Sequence, residues 1–363
     1  MTIPFLDLKK INAPYSDEIK SELAKVVDTG WYILGGHVQN FENKYASYCG
    51  AAHCIGLASG LDALELILAA SEFPKGSEII VPANTYYATI LAIVNQGLTP
   101  ILVEPNTETF LLELDLAEKA ITTNTKAIFF VELYGKAGNY DKLLEIGRKH
   151  NLKLFSDNAQ SHGALYNGKN TNYFFDAVAV SFYPTKNLGA LGDAGCVLTN
   201  NPELAKRIKT LRNYGSNIKY HFQYLGKNSR LDDLQASALN VKLQYLDKIT
   251  NRRRDIAKRY LSEIKNPKIE LPSSDAIYED AWHLFVLKCN ERERLTQYLT
   301  DKNIGWDIHY PIPPHKQVAL QSFENLNLPI TEKLHKQVLS IPLNQSILDE
   351  EVDYIILHLN KFN

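Results

Sequence analysis

Cysteine is scarce in this chain and never stands in a C-x-x-C step: Cys49, Cys54, Cys196 and Cys289 are the only four among 363 residues. That spacing supplies neither a zinc ribbon nor a disulfide framework, so the four read as reduced thiols and no metal site is expected. An excess of charge of one sign is lacking too. Lys and Arg number 39 against 41 Asp and Glu, a net charge of −2, which recruits no polyanion and argues against a nucleic-acid partner. No apolar run approaches the roughly 20 residues that span a bilayer. The opening Met1-Thr2-Ile3-Pro4-Phe5-Leu6-Asp7 has neither the basic stretch nor the apolar core of a signal peptide, so a cytoplasmic location without membrane contact is expected. Repeats and low-complexity tracts are missing, which sets aside a solenoid or a disordered scaffold.

What is present is an ordinary globular composition, 45% apolar and 22% charged, on a chain long enough for a large domain and a smaller one. From about residue 50 to 200, short strand-like runs alternate with helical patterns. The runs are His53–Ala58, Glu78–Pro82, Thr99–Glu104, Ala127–Leu133, Leu152–Asp157, Ala177–Tyr183 and Gly195–Thr199. Separated by helix-length segments, they predict crossover units: an α/β fold with a mostly parallel sheet covered on both faces. Helices are predicted over Asp17–Thr29, closed by Gly30, over Leu61–Ala70 and over Tyr140–His150. A long, broken helical stretch runs from Leu231 to about Ile264, with Arg252, Arg253 and Arg254 read as a solvated face. Beyond Pro267, a strand over Trp282–Lys288 and a helix over Glu291–Asp301 describe an α+β piece. The expected division is 1–248 for a large domain with its N-terminal segment and 249–363 for a small C-terminal domain.

Ligands of open α/β sheets sit beyond the carboxyl ends of the strands, and four pieces of sequence fall there. The segment Ser181-Phe182-Tyr183-Pro184-Thr185-Lys186-Asn187-Leu188-Gly189 puts a hydroxyl and then an amine in a loop after a buried strand. Asp157-Asn158-Ala159-Gln160 ends an earlier strand in a carboxylate, which needs a partner if buried. Together they suit pyridoxal 5′-phosphate (PLP): one lysine to condense with its aldehyde, one carboxylate to keep the pyridine nitrogen protonated, and Gln160 near the ring hydroxyl. Ala58-Ser59-Gly60-Leu61-Asp62-Ala63 is a strand-to-helix turn whose free N–H groups and Ser59 hydroxyl would cradle a phosphate, with Asp62 complementing the helix dipole instead. In Asn84-Thr85-Tyr86-Tyr87, the Tyr86 ring could stack on a planar cofactor. His162 reads as a structural histidine rather than a base.

With these residues in view, the chain resembles the DegT/DnrJ/EryC1/StrS family of sugar-nucleotide aminotransferases, within the fold-type I PLP enzymes. The resemblance runs almost end to end. It is carried by Gly30-Trp31-Tyr32-Ile33-Leu34-Gly35, Ser59-Gly60, Asp157-x-x-Gln160, the Ser181–Gly189 segment, Leu211-Arg212-Asn213-Tyr214-Gly215, Asn228-Ser229-Arg230-Leu231-Asp232 and His309-Tyr310-Pro311-Ile312-Pro313-Pro314-His315. It implies that Lys186 carries the cofactor and Asp157 binds its ring nitrogen. Ser59, Gly60, Leu61 and Ser181 would hold the phosphate and Tyr86 would stack on the ring. Asn228 would reach the phosphate from a neighbouring subunit, so that a homodimer completes each site. Tyr183, Arg230, His309 and Tyr310 are expected at the sugar or nucleotide. Within the family the motifs look most like enzymes that move an amino group from glutamate, released as 2-oxoglutarate, to C-3 of a dTDP-linked 3-keto-6-deoxyhexose. Such 3-amino-3,6-dideoxy sugars enter lipopolysaccharide O-antigen, S-layer glycan or glycosylated natural products. Alternatives are amination at C-4 and a non-catalytic regulatory homologue; a sugar dehydratase of the same fold is disfavoured because Lys186 is a lysine. Glu132, in Val131-Glu132-Leu133-Tyr134-Gly135, stands where the family often has histidine.

Overall fold

The structure is a computed structural model that describes residues 1–273 and 277–363. Its centre is a seven-stranded sheet in the order β1-β9-β8-β5-β4-β2-β3. These strands are β1 (His53–Leu57), β2 (Glu78–Pro82), β3 (Thr99–Val103), β4 (Thr125–Val131), β5 (Lys153–Asp157), β8 (Ala177–Ser181) and β9 (Gly195–Thr199). The run β8-β5-β4-β2-β3 is parallel, and β9 alone lies antiparallel, to β8 on one side and β1 on the other. The α/β class and the mostly parallel sheet expected from the alternation are therefore present.

Alternation along each strand explains why both faces are covered. On β4, Ala127, Phe129 and Val131 enter one apolar layer and Ile128 and Phe130 the other; a strand's side chains change face at every residue. One layer packs the helices Gly60–Ser71, Tyr87–Asn95 and Pro202–Leu211, the other Gly36–Cys49, Tyr140–His150 and Asp233–Leu243. Each large side chain so buried contributes about 1.5–3 kcal/mol. The Ser16–Thr29 helix ends as expected at Gly30, whose φ of 66° is the left-handed conformation glycine adopts without strain.

A third apolar cluster belongs to the C-terminal part. Ile256, Tyr260, Phe285, Leu295, Leu339 and Ile355 pack there on an antiparallel sheet of β10 (Ile269–Glu270), β12 (Phe285–Cys289) and β13 (Val338–Ile341). Ile3 from the N-terminus joins this cluster, its backbone bridged to Ile304. A small sheet not foreseen in the sequence joins β6 (Leu165–Tyr166), β7 (Lys169–Asn170) and β11 (Tyr278–Glu279).

Several expectations need correction. The run expected through Leu133 leaves the sheet at Val131, because the chain turns at Tyr134, φ 63°. The Leu231–Ile264 stretch is two helices, Asp233–Leu243 and Leu246–Glu263, broken at Tyr245. Strand structure begins at Phe285, not Trp282, because Ala281 and Leu284 donate instead to the carbonyls of Gly135 and Tyr134. The three arginines are not a solvated face. Arg253 is buried and donates to the carbonyls of Trp282, His283 and Leu343 at 3.1, 3.0 and 2.9 Å, and burial lowers its pKa to about 9. Arg254 donates to Asp280 O and Gly163 O, and Arg252 to Ile347 O and Asp349.

Arg253 thus ties the Leu246–Glu263 helix to the backbone before β12 and after β13. Arg253→Ala should lower stability by about 3 kcal/mol, the order expected when buried acceptors lose a charged donor. Urea unfolding monitored by circular dichroism checks this, with Lys258→Ala on the exposed face of the same helix as a control near zero.

Candidate active site

The carboxyl ends of β1, β4, β5 and β8 open into a cavity of about 390 Å3. Its wall includes Ser59, Gly60, Leu61, Tyr86, Asp157, Gln160, Ser181, Tyr183, Lys186, His309 and Tyr310. Eleven of the thirteen residues expected at the site from the sequence therefore meet in one place. Asn228 and Arg230 are not part of this wall. Asn228 is exposed and bridged to Asn213, whose Oδ1 accepts from Arg230 at 3.1 Å.

Asp157 is the last residue of β5 and is buried. Its Oδ2 accepts from the Thr89 hydroxyl at 2.7 Å and its Oδ1 from the Ala159 N–H at 3.2 Å. Burial still pushes the carboxyl above its ordinary range, against these donors and the pull of Lys186. A cation in the cavity would remove that conflict. Lys186, half-buried, lies in the loop after β8 and lines the cavity; the loss of solvent there lowers its pKa to about 8, and the Asp157 charge opposes the fall.

The lysine loop is held from far along the chain. Its Leu188 N–H donates to His162 Nδ1 at 3.2 Å, Asn187 Nδ2 to Ala281 O at 2.9 Å, and the buried Lys242 ammonium to Gly189 O at 2.5 Å. His162 is kept neutral by burial, with a pKa of about 3. That fits a structural part, not a base near neutral pH.

The turn from β1 into the Gly60–Ser71 helix forms a further part of the wall. Ser59 caps the helix, its Oγ accepting from Asp62 N at 3.1 Å, which leaves the first backbone N–H groups without helical partners. Asp62 is turned onto Lys227 and the Ser229 hydroxyl, so no carboxylate opposes an anion at the helix start. A Cβ on Gly60 would stand 2.6 Å from Ser181 Cβ; glycine is needed for the two strand ends to approach. Free N–H groups, the helix dipole and two hydroxyls form a phosphate cradle. The half-exposed Tyr86 ring lines the same cavity and sits 5.1 Å from that of Tyr310. Gln160 accepts from Tyr134 N at 2.5 Å and donates to Tyr310 OH at 3.1 Å. An aromatic platform, a buried carboxylate wanting a cation, an amine facing the cavity and an anion cradle are the donor set a phosphorylated pyridine aldehyde requires.

A profile of the DegT/DnrJ/EryC1/StrS aminotransferase family matches residues 15–360. The chain belongs to this family. It is 50% identical, over 99% of both chains, to the dTDP-3-amino-3,6-dideoxy-α-D-galactopyranose transaminase of Aneurinibacillus thermoaerophilus. Among solved family structures, DesV of Streptomyces venezuelae, in complex with a ketimine intermediate, superposes with a TM-score of 0.96 at 39% identity, covering 99% of this chain and 98% of that one. A Bacillus subtilis structure with bound cofactor PMP gives 0.92 at 33% identity, covering 99% and 85%.

Sequence reasoning missed Thr89, Lys242 and His283 of this family member's site and singled out Glu132 only as a departure from the family pattern. Thr89 lies in the Tyr87–Asn95 helix, and its hydroxyl meets that of Thr85, in the turn before the helix, at 2.9 Å; nothing in its local sequence marks it. Glu132 interrupts an apolar run, and Lys242 lies in a helix buried along its length. His283 lines the cavity and faces Asn187 Oδ1 at 3.4 Å; nothing in its local sequence marks it.

In the cofactor-free protein, Lys186 should react with acetic anhydride with a midpoint near pH 8 instead of the roughly 10.4 of an ordinary lysine. The Asp157 charge raises the lysine pKa, so Asp157→Asn should move the midpoint lower still. Competitive labelling followed by peptide mass spectrometry reads both values, and a wild-type midpoint near 10 would contradict the burial argument.

Proposed function

We propose that this protein is a PLP-dependent sugar-nucleotide aminotransferase that moves an amino group from glutamate to the C-3 keto group of a dTDP-linked 3-keto-6-deoxyhexose. The observation that carries the reading is the meeting of Lys186, Asp157 and a phosphate cradle in the lining of one cavity. Full-length similarity to a C-3 transaminase supports the acceptor class.

When bound, PLP supplies an aldehyde that condenses with amines and a protonated ring that withdraws electrons from the carbon losing its proton. The chain supplies the rest. Ser59, Gly60, Leu61 and Ser181 bind the phosphate, Tyr86 covers the ring and Asp157 keeps its nitrogen charged. Lys186 Nζ would carry the proton from the donor's α-carbon to the cofactor carbon that receives it; the loss of solvent that lowers its pKa to about 8 in the cofactor-free chain favours the neutral amine such a base needs. Tyr183, Arg230, His309 and Tyr310 orient the sugar nucleotide. Asn228 serves the phosphate of a partner subunit's cofactor, which fits its exposed position outside the cavity wall of its own chain. A cytoplasmic location fits four buried free thiols. The product would enter surface glycans or glycosylated metabolites.

Incubation with glutamate and dTDP-linked 3-keto or 4-keto 6-deoxyhexoses, in both gluco and galacto forms, tests the reaction by NMR. Amination at C-3 is expected; amination at C-4 alone would overturn the regiochemistry. Lys186→Ala should lower turnover at least about a thousandfold while leaving the circular dichroism unchanged.

Mixing Asn228→Ala with Lys186→Ala subunits tests the shared site. Random exchange makes half the dimers mixed, each with one intact site, so activity should approach about a quarter of wild type. Absence of recovery, with exchange verified by mass spectrometry, would assign Asn228 to its own subunit's site or to none.

A further inference from the structure

We propose that Glu132 is a positioning residue for the cofactor ring: its carboxylate sets the Asp157–Gln160 turn so that Asp157 meets the ring nitrogen squarely. The proposal rests on the PLP reading above and deepens it.

Glu132 follows β4 directly, beside the end of β5, where Val131 and Asp157 are in register. Its side chain is fully buried. Oε2 accepts from Ser161 Oγ at 2.6 Å, from Ser156 Oγ at 3.2 Å and from Asn158 Nδ2. Oε1 accepts from the Tyr140 hydroxyl, and the Glu132 N–H donates to the Asp157 carbonyl at 3.2 Å. These partners bracket the cofactor contacts. Ser156 and Asn158 are the neighbours of Asp157, and Ser161 follows Gln160. Asp157 itself turns the other way, to Thr89. One buried carboxylate therefore pins the turn from behind while its front faces the cavity. A hydrogen bond to a ring nitrogen is directional, so a loosened turn weakens the contact without removing it.

The pattern of donors separates geometry from bulk. In Glu132→Gln the amide oxygen can occupy the Oε2 position and accept the same three donors, while its NH2 donates to the Tyr140 oxygen. In Glu132→Ala the array is lost and the buried Asn158 amide keeps only Thr171 Oγ1, at 3.2 Å, as an acceptor.

The test uses the holoenzyme loaded with PLP labelled with 15N in the ring. Wild type should give a pyridinium signal and Asp157→Asn should lose it. Without that contrast the PLP reading itself fails, which is a separate outcome. Given the contrast, Glu132→Ala should move the 15N signal toward the neutral ring. Its kcat should fall about 30-fold, with the KM for glutamate within about threefold. Glu132→Gln should recover the pyridinium signal and at least about a third of the kcat. Ser161→Ala, a milder change, should move both readouts in the same direction as Glu132→Ala and serves if the latter does not fold. A wild-type 15N signal and kcat in Ser161→Ala and in folded Glu132→Ala would overturn the proposal, as would a Gln variant no better than the Ala variant.

Discussion

A carboxylate and an amine drawn out of bulk solvent at the same strand ends are the constraint on which this structure turns. Asp157 and Lys186 both lose solvent, and the loss drives both toward neutrality: the carboxyl is pushed up and the amine down to about 8. Their mutual attraction opposes both shifts without cancelling them. Such a pair is a poor device for stability, since desolvation offsets much of the attraction. It is a good one for chemistry, because a cationic ring and a condensing aldehyde relieve both strains at once.

Much of the rest of the fold can be understood as holding these two groups in place. The parallel order of β8, β5 and β4 brings their ends together. Thr89 reaches Asp157 from the helix after β2, while His162, Asn187 and Lys242 fix the lysine loop. The C-terminal part contributes His283, His309 and Tyr310 to the cavity. It is anchored by a buried ion pair of Lys136 and Asp280 at 2.6 Å and by Arg254, which donates to Gly163 O at 2.8 Å. A site made of so many separate segments has little freedom to relax, which is the preorganisation such catalysis requires.

The sheet was legible because each strand is a short apolar run bounded by turn residues, a signal that survives without knowledge of its neighbours. The lysine and aspartate were legible because a charge at the end of a buried strand has to be explained. Arg253 could have been read correctly: it falls on the stripe Ile249, Ile256 and Tyr260, at helical spacing, so one of three consecutive arginines had to face the core. Thr89 and His283 were harder, because their roles depend on packing between elements far apart in sequence. Asn228 and Arg230 stand outside the cavity of their own chain, and local sequence does not say which chain's site a residue serves.

Covalent capture at a single lysine tests the central claim most directly. The purified protein is loaded with PLP, reduced with borohydride, digested and mapped by mass spectrometry. One phosphopyridoxyl group per chain, on the peptide containing Lys186 and absent from Lys186→Ala, is the predicted result. A label on another lysine, or none after loading at saturating PLP, would contradict the account.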